Sequence, residues 1–100
     1  MSRVELSVGK DGEGSFFINE EDSKVAWMDV AIKGRQMTVF HTEVLEEAEG
    51  RGLAKELLAA MVEHARKNEL KVYPLCAFVH TQFDRHKENY TDIWQKQDNE

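Results

Sequence analysis

A chain of 100 residues has room for one domain, and its net charge of −6 disfavours bulk binding to nucleic acid, whose phosphates need clustered Lys and Arg. The 41% apolar content is enough for one hydrophobic core and too high for a disordered chain. No apolar run approaches the length of a signal-peptide core or a membrane-spanning helix. We therefore expect one domain over residues 1–100, in the cytoplasm, with neither a membrane nor a nucleic-acid partner.

The first half of the chain has the pattern of short strands joined by turns. Val4–Val8 alternates apolar and polar residues, and a turn at 9–14 leads to a second strand at Ser15–Ile18. Val25–Ile32 and Gln36–Val44 have the composition of a third and a fourth strand. Short connections of this kind predict an antiparallel meander of four strands.

The second half begins with a helical pattern, in which apolar residues recur on one face over about 51–68. Lys71–Cys76 follows as a short fifth strand, and Pro74 places it near an edge or a break in pairing. A short second helix is expected from about Phe78. The order strand, helix, strand implies a right-handed crossover, so the fourth and fifth strands should be parallel.

Together these elements predict an α/β fold of the α+β type. The four-stranded antiparallel meander and the parallel fifth strand form one mixed sheet, with a long and a short helix. Tyr90, Ile93 and Trp94 are expected to dock as a final segment, and residues 95–100 to fray. The large apolar side chains of the strands and the helix are expected in the core: Phe16, Phe17, Trp27, Met28, Met37, Phe40 and Met61.

A glycine-rich turn, Glu49–Ala54, joins the fourth strand to the long helix. Glycine allows positive φ and close approach of the backbone to a ligand. The first amides of a helix lack intrahelical partners and carry partial positive charge, which suits a phosphate. Arg51 and Lys55 are placed to add charge on the rim. The turn is therefore a candidate pyrophosphate site, and the alternative is that the glycines only start the helix.

Four short motifs follow one another along the chain. They are His-Thr-Glu-Val at 41–44, Gly-Arg-Gly-Leu-Ala-Lys-Glu-Leu at 50–57, Ala-Arg at 65–66 and Val-Tyr-Pro-Leu-Cys-Ala-Phe-Val at 72–79. In this order they resemble the GNAT acetyltransferases, and within them a subfamily of small proteins. The resemblance extends over about residues 15–90. Gly52 and Ala54 match the last two positions of the GNAT coenzyme A motif, Gln/Arg-x-x-Gly-x-Gly/Ala, and Glu49 departs from its first position.

The resemblance implies that acetyl-CoA, or coenzyme A, is the cofactor. In GNAT proteins the fourth and fifth strands separate, and the pantetheine arm enters the gap. By this resemblance the pantetheine amides would pair with the backbone around Glu43, Val44 and Leu45. The pyrophosphate would be held by the turn and helix start, which comprise Glu49, Gly50, Arg51, Gly52, Leu53, Ala54 and Lys55. The acidic side chains before the turn oppose a polyanion, so we expect several of them to point to solvent.

Cys76 and His41 are the candidate catalytic residues. From the sequence alone, Cys76 is either a small buried hydrophobe or a thiol at the mouth of a cleft. The subfamily resemblance implies the second, since this cysteine is its suspected catalytic group. His41 ends the neighbouring strand, where it could activate the thiol, act as a general base, or simply hydrogen bond the sheet. One cysteine and four scattered histidines lack the spacing of metal ligands, so we expect no metal.

The predicted function is therefore acetyl-CoA-dependent N-acetyl transfer to an unidentified amine. The acidic charge favours a cationic acceptor, either a small molecule or a protein amine. Direct attack of the amine on the thioester and an acetyl-Cys76 intermediate both remain open. Two other functions also remain: a coenzyme A binding module with little catalysis, and a small protein-interaction domain. We expect a monomer.

Overall fold

The computed structural model describes residues 3–96. Its strands and helices are β1 (Glu5–Val8), β2 (Glu13–Glu20), β3 (Ser23–Lys33), β4 (Gln36–Val44), α1 (Leu53–Lys67), β5 (Lys71–Pro74) and α2 (Ala77–Arg85). Short 3₁₀ turns lie at Glu46–Ala48 and Lys87–Asn89. Within residues 3–96, no helix is long and apolar enough to cross a membrane.

The five strands form one sheet in chain order, with β1 to β4 antiparallel and β5 parallel to β4. The predicted fold class is therefore confirmed. β2 begins at Glu13, earlier than expected and inside the turn predicted at 9–14. Gly14 pairs with Val8 and Val30 there, and a Cβ on it would lie 1.9 Å from the Ser7 carbonyl oxygen. Only glycine fits that position, so the residue that suggested a turn in fact lies in a closely packed strand.

Both helices pack on the same face of the sheet. α1 covers β2, β3 and β4, α2 covers β4 and β5, and residues of both helices line a common groove. Beneath them lies one hydrophobic core, which includes the predicted core residues Phe16, Met28, Met37 and Met61. The apolar face of α1 supplies Leu53, Leu57, Leu58, Met61, Val62 and Ala65 to that core.

The other face of the sheet, here called the open face, carries Phe17, Trp27, Asp29, Phe40, His41, Glu43 and Tyr73. None of these seven residues belongs to the buried core. The expectation for three aromatic residues was therefore wrong: Phe17 and Trp27 are half-buried, and Phe40 is 48% exposed. The reason is that alternate side chains of a strand point to opposite faces, and the described helices cover only one.

β5 ends sooner than predicted, at Pro74. The N–H groups of Leu75 and Cys76 both donate to the Val39 carbonyl oxygen, at 3.0 and 2.9 Å, where the chain leaves the sheet. Cys76 is therefore not the last residue of the strand, as we expected, but the N-cap of α2.

The final segment docks on the free side of β5, as predicted. The Val72 N–H donates to the Ile93 carbonyl oxygen at 2.6 Å, and the Gln95 N–H donates to the Val72 carbonyl oxygen at 2.8 Å. Ile93 is buried. Gln95, expected in the frayed tail, is thus held by the sheet, and residues 97–100 of that tail lie outside the described residues.

Candidate functional site

β4 continues past the end of β5 and leaves a gap between the two strands. Their parallel pairing ends at Val39 and Pro74, while β4 runs on to Val44 beside β3. The Leu45 N–H donates to the Val25 carbonyl oxygen in the β3 direction. Because backbone groups alternate sides along a strand, Thr42 and Val44 turn theirs toward the gap. The N–H of Leu45, by contrast, is bonded to β3 and does not face the gap.

A β-bulge in β4 decides which side chains meet at this gap. His41 pairs with Asp29 and Val39 pairs with Val30, so Phe40 is an extra residue opposite the Asp29–Val30 step. A bulge of this kind shifts the alternation of side chains by one residue. It leaves Phe40 and His41 on the open face and turns Thr42 to the core face, opposite Met28.

Thr42 is the residue that contacts the cysteine. Its Oγ1 lies 3.3 Å from the Cys76 Sγ, and either atom can be the donor. Cys76 is 5% exposed and caps α2, whose first turn closes with a bond from the His80 N–H to the Cys76 carbonyl oxygen. The thiol therefore lies at a helix N-terminus, where backbone amides carry partial positive charge, and next to a hydroxyl group.

His41 is not placed as we expected. Its Nε2 lies 2.7 Å from the Glu43 Oε1, and its side chain is 58% exposed. Since Thr42 is the neighbour that reaches Cys76, His41 points to the other side of the sheet. The prediction rested on His41 and Cys76 ending neighbouring strands. The bulge at Phe40 is the physical reason for the difference, because it turns His41 to the open face and Thr42 to the core face. The histidine and the thiol therefore flank the gap from opposite faces of β4.

The glycine-rich turn has an open geometry at the start of α1. Gly50 and Gly52 have φ of +80° and +77°, and a Cβ built on either would meet no other atom within 4 Å. The first α-helical bond runs from the Glu56 N–H to the Gly52 carbonyl oxygen at 3.1 Å, and no side chain caps the helix. The amides of Leu53–Lys55 precede that bond and have no intrahelical acceptor. These features fit a pyrophosphate.

Arg51, expected on the rim of the turn, is held by a carboxylate instead. It donates two hydrogen bonds to Glu20, one of them 3.0 Å long. Arg3 also donates to Glu20, at 2.7 Å, and to Glu56, at 3.2 Å. The hydrogen bond from Arg51 is the main reason why the pKa of Glu20 lies below its usual value. A phosphate at the turn would have to compete with Glu20 for this guanidinium.

The acidic residues before the turn are exposed, as we predicted for several of them. They are Glu43, Glu46, Glu47 and Glu49. Lys55, on the first turn of α1, lines the groove between the two helices, a cavity of about 1030 Å³ that also borders Lys67, His86 and Tyr90. The turn and the groove therefore adjoin at Lys55, and this lysine, unlike Arg51, belongs to the wall of a cavity.

The other histidines lie outside the gap. The His64 ring packs against the Phe16 ring, with 5.7 Å between the ring centres. Burial lowers the pKa of His64, and the charge of Lys67 lowers it further. His80 contacts the Trp94 ring at 5.8 Å. His86 follows α2 and borders the groove. His64 is therefore a packing residue.

Asp29 is a candidate residue that the sequence reasoning missed. It is half-buried in the middle of a central strand, on the open face, opposite His41. Within residues 3–96, no hydrogen bond or ion pair reaches its carboxylate. The sequence did contain a sign of its importance. Asp29 is the single charge in the otherwise apolar run Val25–Ile32, and aspartate is depleted in strands.

Comparison with known proteins decides the family of the chain. A profile of the GCN5-related N-acetyl-transferase family matches residues 15–93. The chain belongs to this family. As a GNAT-family protein it is an N-acetyltransferase, and the resemblance to the GNAT acetyltransferases is confirmed. A comparison with curated protein sequences found no match.

Solved structures agree with the family assignment. A GCN5-like protein from Staphylococcus aureus is 30% identical, with a TM-score of 0.68 over 98% of this chain and 94% of that one. A ribosomal-protein-alanine N-acetyltransferase from Brucella melitensis is 17% identical, with a TM-score of 0.61 over 87% and 64% of the two chains. An aminoglycoside N-acetyltransferase in complex with CoA is 16% identical, with a TM-score of 0.54 over 86% and 70%. The last two show a shared fold.

Proposed function

We propose that this GNAT-family protein transfers an acetyl group from acetyl-CoA to a primary amine. The observation that carries the proposal is the open glycine turn at the start of α1, beside the gap between β4 and β5. Unpaired amides and space for an anion lie next to backbone groups turned into a gap. The single cysteine favours the reducing cytoplasm as the place of this activity.

The chain's own groups divide the work of holding acetyl-CoA. The amides of Gly52–Lys55 suit the pyrophosphate, and Lys55 adds a positive charge at the entrance to the groove. The backbone of Thr42 and Val44 suits the pantetheine amides. When bound, acetyl-CoA supplies an acetyl group activated as a thioester. The sequence suggested that the backbone of Glu43, Val44 and Leu45 would pair with the pantetheine amides. The structure favours Val44 and Thr42 for these contacts instead.

Cys76 and His41 take separate roles in the proposal. Cys76 is at the gap, where its thiol can donate a proton to a departing thiolate or attack the acetyl group. The partial positive charge of the α2 start suits the negative charge that either role brings. His41, bonded to Glu43 on the open face, is placed to accept a proton from an amine that approaches from that side.

Titration of the ¹⁵N-labelled protein with acetyl-CoA tests the proposal. We expect the largest amide shifts at Thr42, Val44 and 50–55, because these groups would contact the ligand. Shifts should be small along β1 and β2, away from the gap. Shifts confined to those two strands, or no shifts at millimolar acetyl-CoA, would contradict the assignment.

A further inference from the structure

The open face already binds one ammonium group, which belongs to the chain itself. The Nζ of Lys24 lies 4.9 Å from the centre of the Phe17 ring. At this distance the quadrupole of the ring attracts the cation. One aromatic ring of this face therefore already takes a cation.

The next position along the face offers stronger groups and holds no cation. Trp27 pairs with Phe17 across β2 and β3, and Asp29 follows it two residues later on the same face. Trp is the best aromatic partner for a cation. Within residues 3–96, no Lys or Arg lies over the Trp27 ring, and the Asp29 carboxylate has no partner. An aromatic ring and a free carboxylate thus stand side by side.

The charges around this pair favour a cation. Glu5 and Glu43 flank Phe17 and Trp27 in the same row across the sheet, and His41 faces Asp29 in the next row. The basic groups near these two rows are already engaged: Lys24, which pairs with Asn19 on β2, lies on Phe17, and His41 bonds Glu43. The two rows therefore contain three carboxylates and one histidine, and the nearby lysine lies on Phe17 rather than on Trp27.

Asp29 is also at a useful distance from the gap. It lies on β3, its cross-strand neighbour His41 lies on β4, and the gap is on the far side of β4. Adjacent strands are about 4.8 Å apart. The gap is about one and a half to two strand spacings from β3. A cation held by Asp29 would thus be about 7–10 Å from an amine nitrogen that reacts in the gap.

We propose that Trp27 and Asp29 form an acceptor subsite that selects a primary amine carrying a second positive charge. The second charge would rest on the Trp27 ring beside the Asp29 carboxylate, while the free amine reaches past His41 to the gap. The inference rests on the proposed function for the identity of the reaction, but binding at the subsite does not depend on turnover. Trp27 and Asp29 bind the acceptor and are not catalytic residues.

Matched small amines test the subsite. The protein saturated with coenzyme A is titrated with 1,5-diaminopentane and with pentylamine, which has the same chain and one charge fewer. The Trp27 indole N–H and the Asp29 amide are followed by NMR. We expect the diamine to shift both signals and to bind about three- to thirtyfold more tightly, because it adds one cation–π contact and one exposed ion pair.

Variants separate this subsite from general attraction to an acidic protein. Asp29→Asn should reduce the preference for the diamine to the part that the Trp27 ring alone supports, and Trp27→Leu should weaken diamine binding more than Trp27→Phe. Asp84→Asn removes an exposed carboxylate from α2, which lies on the other face of the sheet, and should keep the preference. Equal affinities in the wild type, or a preference that is unchanged in Asp29→Asn, would overturn the inference. Diamine binding without acetyl-CoA binding would instead refute the proposed function alone.

Discussion

The phosphate end and the acetyl end of the proposed site are built in different ways. The phosphate end is one continuous segment, in which Gly50, Gly52 and the first amides of α1 follow one another along the chain. The acetyl end joins Thr42 of β4 to Cys76, which stands 34 residues away at the start of α2. The first end depends on local backbone conformation, and the second depends on how two strands are aligned.

This difference explains which contacts tolerate a shift of the backbone. A one-residue change of register reverses every side chain of a strand, as the bulge at Phe40 does between Val39 and Thr42. The amides of a helix start, by contrast, point along the helix whatever the neighbouring strands do. Mutations at the two ends should therefore separate binding of acetyl-CoA from transfer of the acetyl group.

The largest expected effect is the loss of transfer in Cys76→Ala. Removing the thiol should lower the rate by about a hundredfold or more, the usual contribution of a positioned proton donor or nucleophile. The Kd of acetyl-CoA should change little, because the phosphate end is intact. Release of free coenzyme A measures the rate. Intact mass after mixing with acetyl-CoA shows whether an acetyl adduct forms that Cys76→Ala abolishes.

Thr42→Val serves as the companion variant for that test. It keeps the shape of the side chain and removes the hydroxyl that lies 3.3 Å from the thiol. We expect a loss of about fivefold, the effect of one ordinary hydrogen bond. Full activity in Cys76→Ala would return the cysteine to core packing and leave direct transfer as the mechanism.

Gly52→Val should weaken acetyl-CoA binding by about tenfold or more. A β-branched residue at φ of +77° is strained, and its methyl groups would stand where the phosphate approaches. Gly34→Val is the matched control, because Gly34 also has positive φ and open space around it, in the turn between β3 and β4. Both variants should lose similar stability to denaturant. An equal loss of acetyl-CoA affinity in both would mean that the turn matters only for folding.

Glu20→Gln should give a smaller change in the opposite direction. Arg51 would be freed from its carboxylate, so we expect acetyl-CoA to bind about two- to fivefold more tightly. Glu69→Gln, which removes an exposed ion pair with Arg35, should leave the Kd unchanged. Calorimetric titration of the two variants measures the difference, and weaker binding in Glu20→Gln would show that Glu20 supports the turn.

The pH dependence of the same pair has a defined sign. Arg51 lowers the pKa of Glu20 in the folded protein from its ordinary value of 4.5. The ion pair therefore stabilises the fold above that value and is lost as the pH falls through the lower, folded pKa. Denaturant unfolding should show a small advantage of the wild type over Glu20→Gln at pH 7 that disappears in acid.

Much of the fold could be predicted from the sequence because its signals are local. The limits of β4 matched the prediction, Gln36–Val44, and α1 differed from it by two residues at its start and one at its end. The phosphate end was predictable for the same reason, since the glycines and the helix start are adjacent in the chain. His41 was misplaced because nothing in the residues of β4 alone reveals a bulge relative to β3. Phe40 was misplaced because composition does not say which face of the sheet the helices cover.

Asp29 and Arg51 show the second limit of the sequence. The significance of Asp29 depends on what is missing around it within residues 3–96, namely a helix over the open face and a partner for its carboxylate. The partner of Arg51 is Glu20, which stands 31 residues away along the chain. Motifs identify residue types at fixed spacing. They do not show which distant side chain will form an ion pair with a charged residue of the motif.

The way the chain covers β5 has a consequence for the protein in solution. An unpaired strand at the side of a sheet can recruit a strand from another molecule and begin aggregation. The bonds from Val72 to Ile93 and from Gln95 to Val72 occupy that side of β5 with the chain's own backbone. A shortened chain that stopped before Ile93 would keep every proposed contact to acetyl-CoA and to the acceptor. It would, however, leave the outer edge of β5 unpaired and prone to aggregation.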